Sequence, residues 1–522
     1  MKFITNRDLS IYLQAQYHEP VVTRGSELEF EKHLNPYSRV LVVNPLNTYW
    51  SYQLTAELAL RSREFTPNVR WLNVGPRTPR KFEINLNDHY SLLTHGRVHR
   101  RVAKLLKQSG ISATEKLLSV KNSILTPDFK SISELREMQL SQIPIGRMIF
   151  SAIASNLKST AFELEDVKNH LDFFMRHSHQ SFATISKEIK EFKPDFVLTI
   201  NDRLIGSATA LALAKQYKMS SALAYWGHTT DHIEDYSLSL YSGYEWEAKI
   251  FKNWNNRPDN DSSQVMVKSR NDLDSLSRGP NSDSLKYLSS QVKGTVIDKT
   301  SDFCVFYAQS EHEHSGHLII NPSERFSSQY EAFNSLQNVC KEMGLLLYLK
   351  LHPLPADRLE KSTRKTRHDW ETVKFNDIVQ VIEADSSIDT YELISKAKFN
   401  VVWSSTVGLE CIARGIKPIV VGFPLWLNRE WNMHAWTEVS LKQILKMESR
   451  KVDAEILIPY FYYFNSFGVA CRFSSRDLVW NEKGTKVEIF KMTTIGKLLS
   501  TIRSIKDLLR NALRNNDGVF LR

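Results

Sequence analysis

Apolar residues in this chain fall in short continuous runs separated by longer stretches of mixed character. The run Arg39–Asn44 (RVLVVN) is apolar at nearly every position and stops at Asn44-Pro45, which predicts a buried parallel strand ending in a turn. A helical pattern follows near 55–64 and a second strand over 69–74, giving a βαβ unit. The stretch from about 88 to 190 is mostly helical in period and reads as a helical insertion. Strand patterns return at 195–200 (DFVLTI) and 222–226, with an Ala-rich helix over 206–218 between them.

After Trp254 the pattern fades. Residues 255–300 are rich in Asn, Asp, Ser and Lys, which predicts a polar connection. A second alternation then begins. Strands are expected at 302–308, 345–350, 378–382, 399–403 and 417–421, and helices at 327–343, 388–397 and 407–414. Continuous apolar strands alternating with helices mean parallel sheets covered on both faces. The fold class is therefore α/β with two Rossmann-like lobes: 1–254 with its insertion at about 88–190, and 301–490, joined by 255–300. A last segment, 491–522, places Ile495, Leu498, Leu499, Ile502, Ile505, Leu509 and Leu513 on one helical face ringed by Lys and Arg. It reads as a basic amphipathic helix, able to lie on an anionic inner-membrane surface or to pack back on the first lobe.

Composition changes this picture little. A length of 522 residues suits two or more domains at roughly 100–200 residues each. The net charge of +10, from 68 basic and 58 acidic residues, comes without a Lys/Arg block. That favours an anionic small substrate or membrane surface over nucleic acid. The four cysteines form no CxxC pair and read as reduced, buried thiols. The first eight residues lack the apolar core of a signal peptide, and no run of about 18 apolar residues occurs. A reducing, cytoplasmic location is expected. Neither GxGxxG nor a P-loop motif is present.

Candidate chemistry sits where strands end. Ser404, Ser405 and Thr406 follow the 399–403 strand and open a helix, a place suited to a phosphate or to an ordinary Ser/Thr cap. Glu410 lies one turn further in, within reach of a sugar hydroxyl or ribose. His352-Pro353 follows the 345–350 strand, and a His there can donate to a phosphate oxygen or simply pack. In the first half, Asp202 follows a strand as either a general base or a helix cap. The loop with His228, Asp231 and Glu234 is the second source of a base, or a plain polar surface. Glu311-His312-Glu313-His314 does not have the spacing of a helical metal motif. Neither metal nor cofactor is called for. The aromatic run 460–464 reads as packing more readily than as a sugar platform.

The runs 386–394, 401–410 and Gly415-Ile416-Lys417-Pro418 resemble bacterial capsule polysaccharide biosynthesis proteins, glycosyltransferases of the two-Rossmann-lobe (GT-B) type. His352-Pro353 and the later Ser/Thr cluster are similar to motifs of Kdo transferases and of bacterial sialyl- and polysialyltransferases. Ser310-Glu311 and Gln329-Tyr330-Glu331-Ala332 also look like that pattern. The resemblance implies a nucleotide-sugar donor, CMP-linked among the candidates, with its phosphate held by His352, Pro353, Ser404, Ser405 and Thr406. It implies a glycan or lipid-linked acceptor. The chain departs from the pattern by lacking an acid at Tyr225 or Trp226. A CDP-glycerol type polyol-phosphate transferase, a nucleotide-sugar epimerase and a non-catalytic glycan-assembly or glycan-binding subunit all remain open.

Overall fold

The computed structural model describes residues 27–46, 49–77, 95–114, 118–119, 127–157, 160, 162–228, 232–237, 243–258, 263–278, 302–309, 326, 328–352, 370, 373–383, 386–422, 424, 426, 431–447, 451–473, 475–480 and 486–491. The chain divides into two compact units. Unit 1 comprises Met1–Ile153, Leu164–Leu240 and Ser466–Arg522, and unit 2 comprises Ala154–Glu163 and Tyr241–Asn465.

Unit 1 is built on β1 (Arg39–Asn44), β2 (Asn68–Asn73), β4 (Ser112–Ala113), β6 (Phe196–Ile200), β7 (Ser220–Trp226), β8 (His232–Tyr236) and β15 (Val469–Ala470), with a short side pair β3 (Pro76–Arg77) and β5 (Leu118–Ser119). The main sheet runs β15-β8-β7-β6-β1-β2-β4. Its five strands β4-β2-β1-β6-β7 are parallel, and β8 and β15 close it antiparallel. The order reverses between β1 and β6, the switch point beside which ligands bind in open α/β sheets. Val40 to Val43 are wholly buried, as the apolar run required.

Helix Tyr49–Phe65 is buried along nearly its whole length, including Glu57 and Arg61. Charge there survives only by pairing. Arg61 Nη1 donates to Glu31 at 3.0 Å and Nε to Glu57 at 3.0 Å. Burial pushes the Glu31 carboxyl up, against the pull of Arg61. Glu57 also accepts the backbone N–H groups of Arg472 and Phe473 at 2.7 and 2.9 Å.

Unit 2 carries β9 (Phe303–Tyr307), β10 (Leu346–Lys350), β11 (Val379–Ile382), β12 (Phe399–Val402), β13 (Ile419–Val420) and β14 (Met433–His434) in the order β11-β10-β9-β12-β13-β14, all parallel. Its switch point lies between β9 and β12. Both units are Rossmann-like, as the alternation predicted. A hairpin of β16 (Ser475–Trp480) and β17 (Lys486–Lys491) follows β15.

Three boundaries differ from the sequence reading. The stretch 88–190 is not solely an insertion: β4 joins the sheet beside β2, so helix His95–Gln108 is the crossover of a second βαβ unit. The second lobe does not run to 490, because β15 pairs with β8 and the chain from Ser466 belongs to unit 1. Nor is 255–300 a plain connection after a boundary at 254. Helices Gly243–Asn255 and Gln264–Arg278 are part of unit 2, the first held on helix Ile458–Phe464 by aromatic contacts and the second by Asn465, which donates from Nδ2 to Asp272 at 2.7 Å. Trp246 stacks on Phe464 at 5.1 Å and Trp254 meets the Tyr462 edge at 5.6 Å. The run 460–464 is thus packing material. Residues 492–522, including the amphipathic pattern, lie outside the described residues. Among the described residues no helix is long and apolar enough to cross a membrane.

Candidate functional site

In unit 2 the register sets three strand ends level. Tyr307 on β9 pairs with Lys350 on β10 and with Val402 on β12. Gln309, His352 and Ser404 each stand two residues beyond that line. Since neighbouring strands lie about 4.8 Å apart, β10 and β12 are about 10 Å apart at this edge. His352 and the Ser404–Ser405 pair therefore flank the switch point from opposite sides.

Each end is fixed locally. Gln329, wholly buried at the start of helix Gln329–Glu342, accepts from Gln309 N at 3.0 Å and donates to Gln309 O at 2.8 Å. Its amide replaces a strand partner where β9 has run out. Lys350 is buried and donates to Glu383 O at 3.2 Å. His352 is half-buried, and burial lowers its imidazole to about 4, so it is neutral at pH 7.

Ser404 and Ser405 are 8% and 7% exposed, while Thr406 is open to solvent. Thr406 is the N-cap of helix Val407–Ala413 but makes no capping bond with its side chain. Ser405 Oγ accepts Val407 N instead, at 3.3 Å. Gly408 admits the Trp426 ring so closely that a Cβ would lie 2.1 Å from it. Behind this turn stands a cluster that sequence reasoning only half found. Burial raises the Glu410 carboxyl to about 7, with Arg414 pulling the other way. The Arg414 guanidinium lies 4.0 Å over the Tyr391 ring and donates to Leu276 O and Glu410 O at 2.9 and 3.0 Å. Arg414 four residues after Glu410 was the available signal, one helical turn on the same face.

The carboxyl edge of unit 1 is polar and tightly bonded. Asn44 and Asn73 are register partners at the ends of β1 and β2. Asn44 Nδ2 donates to Asn73 Oδ1 at 2.7 Å and to Leu46 O at 2.6 Å. Buried His177 donates from Nε2 to Val74 O at 2.9 Å, and burial lowers it to about 4.

Asp202 is wholly buried and is not the cap of the next helix. The N-cap is Leu204, and the local side-chain turn is made by Asn201, which accepts Arg203 N at 3.1 Å from a left-handed backbone at φ 47. His228 is half-buried just beyond β7. Its Nδ1 lies 2.7 Å from Phe467 O, and its ring centroid 4.1 Å from that of His232. Burial and the neighbouring His228 lower His232 to about 4. Asp231, Ser310, Glu311 and Pro353 lie outside the described residues.

No protein-family model matches the chain, and no curated protein matches it. Among solved structures it is similar to Thermosulfurimonas dismutans KpsC, beta Kdo 2,4 transferase, at 12% identity and TM-score 0.31, over 51% of this chain and 78% of that one. It is similar to UDP-GlcNAc 2-epimerase from Neisseria meningitidis bound to UDP-GlcNAc, at 12% identity and TM-score 0.25, over 91% and 100%. It is also similar to CalG4, the calicheamicin glycosyltransferase, at 8% identity and TM-score 0.22, over 82% and 94%. Likenesses at these TM-scores carry no argument. The two Rossmann-like units rest on the strand orders and registers above.

Proposed function

We propose that the protein is a nucleotide-sugar-dependent glycosyltransferase acting in the synthesis of a bacterial surface polysaccharide or lipid-linked glycan. The observation that carries this reading is the level placement of His352 and Ser404–Ser405 on either side of the unit 2 switch point. A nucleotide diphosphate or monophosphate at that point meets an imidazole N–H from β10 and hydroxyls from the β12 turn, with Glu410 one turn away. The chemistry is donor positioning and charge stabilisation on the leaving phosphate. Pro353, Thr406, Ser310 and Glu311 belong to the same proposed donor site. Acceptor activation falls to unit 1, where Asp202, His228 and Asp231 are the candidates.

The test is a thermal-shift screen of the purified chain with CMP, CDP, UDP and GDP. A nucleotide at 100 times its Kd adds about 2.7 kcal/mol of stability. One nucleotide should stand out, and His352→Ala should reduce its shift. No shift with any of the four, at concentrations up to several millimolar, would overturn the donor-site reading.

A further inference from the structure

We propose that the loops after β12 and β13 are clasped by two tryptophans, each seated on a glycine of the other loop, and that Trp426 is the positioning residue that holds Ser405 in place for a bound phosphate. The proposal rests on the donor-site reading above, and every residue in the clasp belongs to unit 2. Just beyond the two strands, Val421 N donates to Val402 O at 3.0 Å. The next residues on the two sides, Gly422 and Trp403, then press together. A Cβ on Gly422 would lie 2.7 Å from Trp403 Cδ2 and closer still to the Trp403 carbonyl oxygen. Further along the same loop, buried Trp426 lies back against the first one. A Cβ on Gly408 would lie 2.5 Å from Trp426 Cζ2.

Each stretch of chain thus supplies one indole and one glycine. Neither glycine has a left-handed backbone, so the missing side chain, not φ, is what each contributes. Ser404, Ser405 and Thr406 lie between the two contacts. Gly408 N donates to Ser405 O at 3.1 Å, and Ser405 Oγ accepts Val407 N at 3.3 Å. The Trp426 ring therefore bears on Gly408, and Gly408 holds Ser405 through one hydrogen bond. On the other side, Gly422 bears on the carbonyl of the peptide bond into Ser404.

A serine hydroxyl has almost no reach of its own. A backbone shift of about 1 Å takes it out of hydrogen-bond range of a phosphate oxygen. A turn that is loose before binding must also be ordered during it, at the cost of affinity, and a turn fixed in advance avoids that cost. Trp426 touches no ligand in this scheme. It acts through Gly408 and Ser405.

The test measures the Kd of the full chain for whichever of CMP, CDP, UDP and GDP gives the largest thermal shift, by calorimetry well below the melting temperature. Trp426→Leu should weaken binding about tenfold. Ser405→Ala should weaken it about tenfold in the wild-type chain but less than about twofold in the Trp426→Leu chain, where the hydroxyl is already out of place. His352→Ala, on β10, should still weaken binding in the Trp426→Leu chain. A Trp426 that only packs would lower the melting temperature and leave the Ser405→Ala factor the same in both chains. Gly408→Ala should weaken binding as Trp426→Leu does. Gly408→Ala with Trp426→Phe, which exchanges the outer ring for a methyl group, should bring Kd back to within about threefold of wild type. Trp426→Leu binding within about threefold of wild type, or an equal Ser405→Ala factor in the two chains, would overturn the proposal. Should Trp426→Leu not fold, the exchange decides: a folded Gly408→Ala, Trp426→Phe chain that binds no better than Gly408→Ala would overturn it. A wild-type chain that binds none of the four nucleotides, or binds as well with Ser405→Ala, would overturn the donor-site reading instead.

Discussion

The Glu410 carboxyl is the residue whose charge state the fold disturbs most usefully. Its value of about 7 lies above the ordinary 4.5, with burial as the main cause. The folded protein therefore holds this proton more tightly than the unfolded chain does. Stability from the group is present below pH 4.5 and is lost as pH rises through 7. Glu410→Gln should stabilise the protein by about 1–3 kcal/mol at pH 8 and by much less at pH 5, measured by urea denaturation at the two pH values. Asp202 gives a contrasting case. It is wholly buried, and an amide cannot reproduce both oxygens of a carboxyl group. Asp202→Asn should lower stability by about 2–4 kcal/mol. A large loss of turnover with unchanged stability would return Asp202 to the chemistry. What the sequence showed at this scale was position: Ser404, Ser405 and His352 stand at strand ends as read. What it hid was burial, because whether Asp202 is covered depends on packing remote in sequence.

Strands and their register carry the donor site. β10 and β12 are separated by β9, about 10 Å from one to the other. Side chains at that separation with no shared partner contribute additively to stability. A phosphate held by both would couple them. His352→Ala and Ser405→Ala should each cost about 1–3 kcal/mol in nucleotide binding, and the double variant less than the sum. The same cycle in denaturant should be additive within about 0.5 kcal/mol. Additivity in both would mean that the two ends do not share a ligand. The strands themselves were legible because parallel strands covered on both faces are apolar nearly throughout, as Phe303–Tyr307 and Val40–Val43 are. Two elements were not. β4 is two residues long, too short for any period. Helix Gln264–Arg278 buries Val265 and Leu273 in a sequence dominated by polar and charged residues, so its composition reads as a linker.

At the scale of the molecule, unit 1 is assembled from three stretches of sequence and secured by one buried ionic group. Arg61 joins Glu31 to Glu57 and reaches the Ala470 carbonyl at 2.5 Å, while Glu57 accepts from residues 472 and 473. Arg61→Ala leaves two buried carboxylates without their cation and should cost about 3–5 kcal/mol, read by thermal or denaturant unfolding. Arg61→Ala combined with Glu31→Gln and Glu57→Gln should recover part of that loss. The return of the chain to unit 1 was invisible in the sequence because it depends on a two-residue strand and on backbone N–H groups, neither of which leaves a residue pattern.

That return imposes an order on how the protein is made. A chain leaves the ribosome from its amino end, and domains tend to fold as their residues emerge. Nearly all of unit 2 is one continuous stretch, Tyr241–Asn465, and can close as soon as it is out. Unit 1 has most of its residues earlier, yet the outer edge of β8 has no strand beside it until Val469–Ala470 has been translated. Until then an open strand edge faces solvent, and Glu57 lacks two of its donors. The first unit to be synthesised is thus the last to be finished. A released chain ending at Asn465 should show protease resistance across unit 2 and cleavage within unit 1, whereas the full chain should protect both.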